Sequence, residues 1–171
     1  MRLLIDFRKF DGVMGGVERG VVEIARHFAS WGHQVTLLCK RDRQDKVGQL
    51  FAGSPCVTVL PLPVRSHGMS ARNVWMDTFV IQRIAAEQGA EVIHFPYNWS
   101  FPLHKRAPTV LTVHDVIPFT FREAMGRLTH LFLYKPGIRL ACRLNDVIVT
   151  VSEFSRRDIA EKVGVPPAKI R

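Results

Sequence analysis

Six short apolar runs, separated by longer stretches of helical period, set the tightest limit on what this chain can fold into. Leu3 to Ile5, Gln34 to Cys39, Cys56 to Leu60, Val92 to Phe95, Thr109 to Val113 and Val147 to Val151 read as strands. Their apolar residues are continuous rather than alternating, which marks strands buried on both faces. The intervening segments read as helices. From Val17 to Trp31 the positions Val21, Ile24, Ala25 and Phe28 recur at helical spacing, and Gly32 stops the run. Ser70 to Gln88 begins at a capping serine, carries Val74, Ile81 and Ile84 on one face, and ends at Gly89. A third helical region spans 121–144, with Pro136 set to kink or split it, and Ser152 to Val163 forms the last helix. Strand and helix in alternation mean a parallel sheet covered on both faces. Right-handed crossovers then give an α/β, doubly wound, Rossmann-like sheet. Three long loops remain, Arg41 to Ser54, Pro63 to Met69 and Pro96 to Pro108.

At 171 residues and 47% apolar content the chain suits one domain, 1–171, with a real core. No run approaches the about 18 apolar residues of a membrane span. Asp6, Arg8, Lys9 and Asp11 interrupt the apolar start, so no export signal is read there. Cys39, Cys56 and Cys142 share no C-x-x-C spacing and suit buried free thiols in a reducing compartment. Val165 to Arg171 reads as a helix exit leading into a further strand, the form of a domain belonging to a longer protein.

Ligands of open parallel sheets sit beyond the carboxyl ends of the strands, and three segments fall there. Gly12, Gly15 and Gly16, followed by Val17-Glu18-Arg19, lie between the first strand and first helix. They either let a phosphate or sugar hydroxyl approach the helix start, or supply a tight turn with positive φ. The G-x-G-x-x-G dinucleotide signature is absent, as is a P-loop G-K-[ST]. His114 and Asp115 leave the fifth strand. There an imidazole can donate to a ligand oxygen while the carboxylate orients it, or Asp115 can simply close a turn before Pro118. Ser152 and Ser155 open the last helix, either as phosphate ligands or as caps. His94, Tyr97, Asn98 and Trp99 follow the fourth strand and are candidates for lining an acceptor site or for anchoring a loop by its aromatic rings. His27, His33, His67, His104 and His130 share no metal-ligand spacing, so no metal is expected.

Taken in order, Gly15-Gly16-Val17-Glu18-Arg19, Thr112-Val113-His114-Asp115 and Val149-Thr150-Val151-Ser152-Glu153-Phe154-Ser155 resemble the GT4-type (group 1) retaining glycosyltransferases across the whole chain. The resemblance implies one half of a GT-B fold, the N-terminal acceptor-side domain, facing a C-terminal domain that binds the sugar nucleotide. It implies His114, with Asp115, near the transferred sugar. Gly15, Gly16, Arg19 and Ser152 would stand at the donor diphosphate or acceptor, and His94, Tyr97, Asn98 and Trp99 in the acceptor site. It implies retention of anomeric configuration by electrostatic stabilisation, no cofactor beyond the nucleotide-sugar donor, and a saccharide or lipid-linked acceptor in cell-surface polysaccharide or glycolipid synthesis. The 171 residues alone are expected to be inactive. Glu153 and Glu161 mimic the family's E-x7-E spacing but read as an ordinary exposed helix.

The net charge of +9 attracts anions. Within 122–143 five basic residues, Arg122, Arg127, Lys135, Arg139 and Arg143, face the single acid Glu123. This segment, or Trp75, Met76 and Phe79 with Arg72 and Arg83, is a candidate for peripheral contact with a membrane from the cytoplasm; the alternative is an ordinary helix face. A stand-alone Rossmann-like oxidoreductase lacks its fingerprint. A nucleic-acid binder lacks interleaved aromatic and basic residues, so no nucleic-acid partner is expected.

Overall fold

A computed structural model describes residues 1–64, 70–116 and 133–171. The expected helix over 121–132, Pro118, His67 and His130 lie outside the described residues. Six strands, β1 (Arg2–Asp6), β2 (Gln34–Lys40), β3 (Val57–Leu62), β4 (Val92–Phe95), β5 (Thr109–Thr112) and β6 (Val147–Val149), form one sheet in the order β3-β2-β1-β4-β5-β6. Every pairing is parallel. The order doubles back between β1 and β4, which is the doubly wound arrangement expected from the strand pattern. Ile170 adds a parallel bridge to Ile148 outside β6.

Alternate residues along each strand meet opposite layers, which is why the apolar runs are unbroken. Leu3, Ile5, Val35, Leu37 and Cys39 pack beneath Val21, Val22 and Ala25 of α1 (Gly16–Ser30) and Val47 of α2 (Gln44–Leu50). Leu4, Leu38, Ile93, Leu111 and Ile148 pack on the other side. There they meet α3 (Ala71–Trp75), which runs through a π-helical stretch, Met76–Val80, into α4 (Ile81–Glu87), together with α5 (Lys135–Leu144) and α6 (Glu153–Asp158) with its π-helical continuation Ile159–Val163.

Two local expectations differ from the structure. Arg41 to Ser54 is not a loop but a 3-10 turn, Arg41–Arg43, followed by α2. Its apolar stripe is Val47, Leu50 and Phe51, a single i, i+3, i+4 set packed on the core, too short to set against the polar residues around it. Pro61 does not stop β3, because β3 is an edge strand where a missing N–H leaves no ladder bond unmade. Pro136 is the second residue of α5, which follows directly on the π-helical residues Leu133 and Tyr134, and the upstream part of the helix it is expected to kink or split lies outside the described residues.

Candidate functional site

Helix α1 and the carboxyl ends of β4, β5 and β6 border a cavity of about 480 Å³. Its walls are Gly16, Val17, Gly20, Val21 and Ile24 from α1, His94 in β4 and Pro96 just beyond it, Thr112 at the end of β5 and His114 beyond it, and Val149 at the end of β6 with Thr150 and Val151. Gly16 and His114 therefore meet at one rim of the sheet, as the sequence reading requires.

The glycines divide their work. Gly12 takes the positive φ, +94°, while Gly15 and Gly16 do not. Gly15 is the N-cap of α1, and its N–H donates to Glu18 Oε2 at 3.2 Å. A Cβ on Gly15 would come within 2.7 Å of that carboxylate, whereas a Cβ on Gly16 would meet nothing within 4 Å. At Gly16, then, the missing side chain leaves open space beside the helix start rather than permitting a backbone shape.

The histidines are held differently. His94 is buried and shares a 2.8 Å hydrogen bond between Nε2 and Thr112 Oγ1. Burial, reinforced by the neighbouring His114 and opposed by Asp6, pulls its pKa down to about 4, so the ring is neutral near pH 7. His114 is half-buried, and its Nε2 donates to the Pro96 carbonyl at 3.0 Å. A carbonyl can only accept, so the proton sits on Nε2 and Nδ1 is the ring nitrogen left for a ligand. Asn98 brackets this turn. Its Oδ1 accepts from His114 N at 3.3 Å and its Nδ2 donates to Asp115 O at 3.4 Å. Its amide is thus committed to backbone.

The remaining candidates lie around the cavity rather than in its wall. Asp115 is half-buried next to His114. Arg19 is exposed on the first turn of α1. Ser152 is the N-cap of α6, its Oγ accepting from Ser155 N at 3.1 Å. Tyr97 is 3% exposed, with the Lys9 ammonium 4.9 Å from its ring centroid, so its ring has no free face for a sugar. Trp99 is half-buried and packs edge-on against Tyr134 at 5.4 Å. Glu153 pairs with Arg156 at 3.4 Å and with Arg157 at 3.6 Å on an exposed helix face.

Sequence reasoning missed a buried network under the site. Arg8 donates to both carboxylate oxygens of Asp6 at 2.7 Å and to Asp77 Oδ1 at 2.5 Å. All three side chains are at most 1% exposed. Burial alone would lower the Arg8 pKa, but the two carboxylates outweigh it and hold it above its ordinary value. Burial pushes Asp77 up to about 6, with Arg8 opposing, because two carboxylates on one guanidinium leave a surplus negative charge in a dry site. Asp77 Oδ2 also accepts from Phe101 N at 2.9 Å, and Thr78 Oγ1 donates to Phe101 O at 3.0 Å. The π-helical stretch thereby pins the 96–108 loop that carries Tyr97 to Trp99. Arg8 and Lys9 interrupt an apolar run in sequence, and only the fold reveals that one is buried and the other is not.

The sequence profile of Glycosyltransferase Family 4 matches residues 14–171. The chain belongs to that family. Comparison with curated protein sequences returns no match. Among solved structures, the chain is similar to WaaG, a glycosyltransferase involved in lipopolysaccharide biosynthesis (17% identity, TM-score 0.65, 99% of this chain and 44% of that one). A glycosyltransferase from Rickettsia africae ESF-5 aligns at 16% identity and a TM-score of 0.62, covering 99% of this chain and 41% of that one. MurG of Acinetobacter baumannii aligns at 12% and 0.53, covering 91% and 42%. These likenesses carry the fold. The chain spans less than half the length of these structures. As a member of Family 4 it carries the glycines and His114 at the rim where its fold places a ligand crevice, and nothing favours the oxidoreductase alternative.

Proposed function

We propose that this chain is the acceptor-side domain of a retaining glycosyltransferase that takes its sugar from a nucleotide donor and needs no further cofactor or metal. The observation that carries the reading is the cavity at the β1/β4 switch point. There Gly16, with open space beside it, the start of α1 and His114, whose Nε2 is bound to Pro96, line one cavity in a Family 4 fold. A nucleotide sugar would be held mainly by a C-terminal domain, with its diphosphate near Gly15 and Gly16 and the helix dipole behind them. His114 Nδ1 would accept from a sugar hydroxyl, while neutral His94 keeps the wall uncharged. Stabilising an oxocarbenium-like state and a departing diphosphate is electrostatic work that requires oriented dipoles rather than a nucleophile. Asp115, Arg19 and Ser152 serve at the edge of this site; Asn98 holds His114 in place.

The acceptor would be a saccharide or lipid-linked saccharide met at the cytoplasmic face of a membrane. Trp75 and Phe79 are 54% and 56% exposed with ring centroids 6.4 Å apart, and His104, Arg106 and Arg83, the last paired with Glu87 at 3.3 Å, line the adjoining hollow with Phe79. Exposed aromatics beside basic side chains fit an anionic lipid surface. Met76 is not part of this patch, being buried in the core. No helix among the described residues is long and apolar enough to cross a membrane. The test is sugar transfer by the full-length protein across a panel of nucleotide sugars, with His114→Ala and Gly16→Leu lowering it. Robust donor turnover by residues 1–171 alone would overturn the division of labour.

A further inference from the structure

Three polar side chains lie buried on one helical stretch. Asp77, Thr78 and Gln82 are at most 3% exposed. Buried polar atoms cost stability unless each finds a partner. All three spend bonds on the backbone of the 96–108 loop, which has no helix or strand of its own to satisfy it. Asp77 Oδ2 accepts from Phe101 N at 2.9 Å, and Asn145 Nδ2 donates to Ser100 O at 3.2 Å. One peptide unit, 100–101, is therefore gripped at both its N–H and its C=O. Thr78 Oγ1 donates to the next carbonyl, Phe101 O, at 3.0 Å and accepts from Leu103 N at 3.2 Å. Further along, Gln82 Oε1 accepts from Arg106 N at 2.9 Å. The limb of the loop before this clamp carries the partners of His114. Pro96 O receives the proton of His114 Nε2, and Asn98 Oδ1 accepts from His114 N. Trp99 stands between the two parts, its ring centroid 6.2 Å from that of Phe101. On its other side Asp77 Oδ1 accepts from Arg8, in the turn that leads from β1 to α1.

We propose that Asp77 and Thr78 are positioning residues for His114. By fixing the 100–101 peptide unit and the carbonyl after it, they hold Pro96 and Asn98 where His114 needs them, and so set the tautomer and orientation of its ring. The chemistry of the two side chains suits the task. A carboxylate accepts in two directions at once, and a hydroxyl donates and accepts at once. Both stand in the π-helical stretch, whose bonds close five residues on rather than four, a form of turn that recurs at functional sites. Through Arg8 the same carboxylate joins the segment that leads to Gly16 with the loop that brings Pro96 to the cavity wall. The inference rests on the transferase reading for its effect on turnover, whereas the state of the ring can be read without substrate.

Imidazole-nitrogen NMR of the full 171-residue chain reads the tautomer of His114, and the amides of Asn98, His114 and Asp115 report on the turn around it. In wild type the His114 proton should sit on Nε2. Thr78→Val keeps the shape of the side chain and deletes both of its bonds, whereas Thr78→Ser keeps them. Asp77→Asn leaves one acceptor where two are needed and turns an N–H group toward Arg8 or Phe101 N. Thr78→Val and Asp77→Asn should each give His114 as a mixture of tautomers with shifted amides at 98, 114 and 115, while Thr78→Ser keeps the wild-type pattern. Gln82→Met, which frees Arg106 N on the far limb of the loop, should leave the His114 ring as it is. In the full-length enzyme Thr78→Val should lower kcat roughly ten-fold with little change in KM for the nucleotide sugar, and Gln82→Met less than about two-fold. A wild-type His114 ring in either folded variant, failure of Thr78→Ser to keep the pattern, or the same disturbance in Gln82→Met would overturn the proposal. A disturbed ring with undiminished transfer would leave the clamp standing and sink the role of His114 in the transferase reading instead.

Discussion

His94 makes a quantitative demand on how stability changes with pH. Its folded pKa, pulled down to about 4 by burial and then by His114, lies below the ordinary 6.5. As pH falls through this interval the unfolded chain takes up a proton that the folded chain refuses. The stability is therefore fully present above about 6.5 and is lost on the way to about 4. At about 1.4 kcal/mol per pH unit, the interval amounts to about 3 kcal/mol. His94→Gln keeps an amide for the hydrogen bond to Thr112 and cannot take the proton. Asp77 works in the opposite sense. Raised to about 6 from 3.8, it contributes stability that is lost as pH rises through that window. The wild-type curve alone is thus nearly flat where the two overlap, whereas the difference between wild type and His94→Gln isolates the imidazole. Urea unfolding in steps from pH 7.5 to 4 should show that difference shrink by about 3 kcal/mol in disfavour of wild type. Parallel curves for the two proteins, or an NMR titration placing the His94 ring near 6.5, would refute the reasoning.

Gly16→Ala and Gly12→Ala should part company. The first, with nothing within 4 Å, should keep or raise stability by up to about 1 kcal/mol, while Gly12→Ala at φ +94° should lower the midpoint of thermal unfolding by a cost of about 1 kcal/mol or more. Arg8→Met strands Asp6 and Asp77 without their guanidinium and should cost about 3–5 kcal/mol in chemical denaturation, the loss easing at low pH as Asp77 protonates. Asn98→Ala removes both bonds that bracket the 114–115 turn. It should cost about 1–2 kcal/mol and, in the full-length enzyme, reduce transfer more than a distant change of equal stability cost; transfer no lower than that control would show that Asn98 does not position His114.

The six strands, the covering helices and the parallel order were legible in the sequence, because unbroken apolar runs of this length leave few other ways to be buried. The glycines, His94 and His114 were placed by the same logic, since they lie at or beyond the carboxyl ends of β1, β4 and β5. Helix α2 was not legible, as Val47, Leu50 and Phe51 make only one turn of apolar spacing. Nor was the π-helical stretch, which has no spacing of its own. The hydrogen bonds that commit Asn98 to backbone, and Ser152 to its cap, depend on neighbours that local sequence does not name.

Sequence alone determined which residues arrive at the carboxyl edge of the sheet, because strand periodicity and chain direction fix that. Tertiary structure decided what each of them can do there. It buried Arg8 between two carboxylates and left adjacent Lys9 outside. It closed the ring of Tyr97 to a sugar, and it put open space at Gly16 and a positive φ at Gly12. Periodicity carries the direction of a side chain relative to its own strand, while burial and charge pairing are settled by segments distant in the chain.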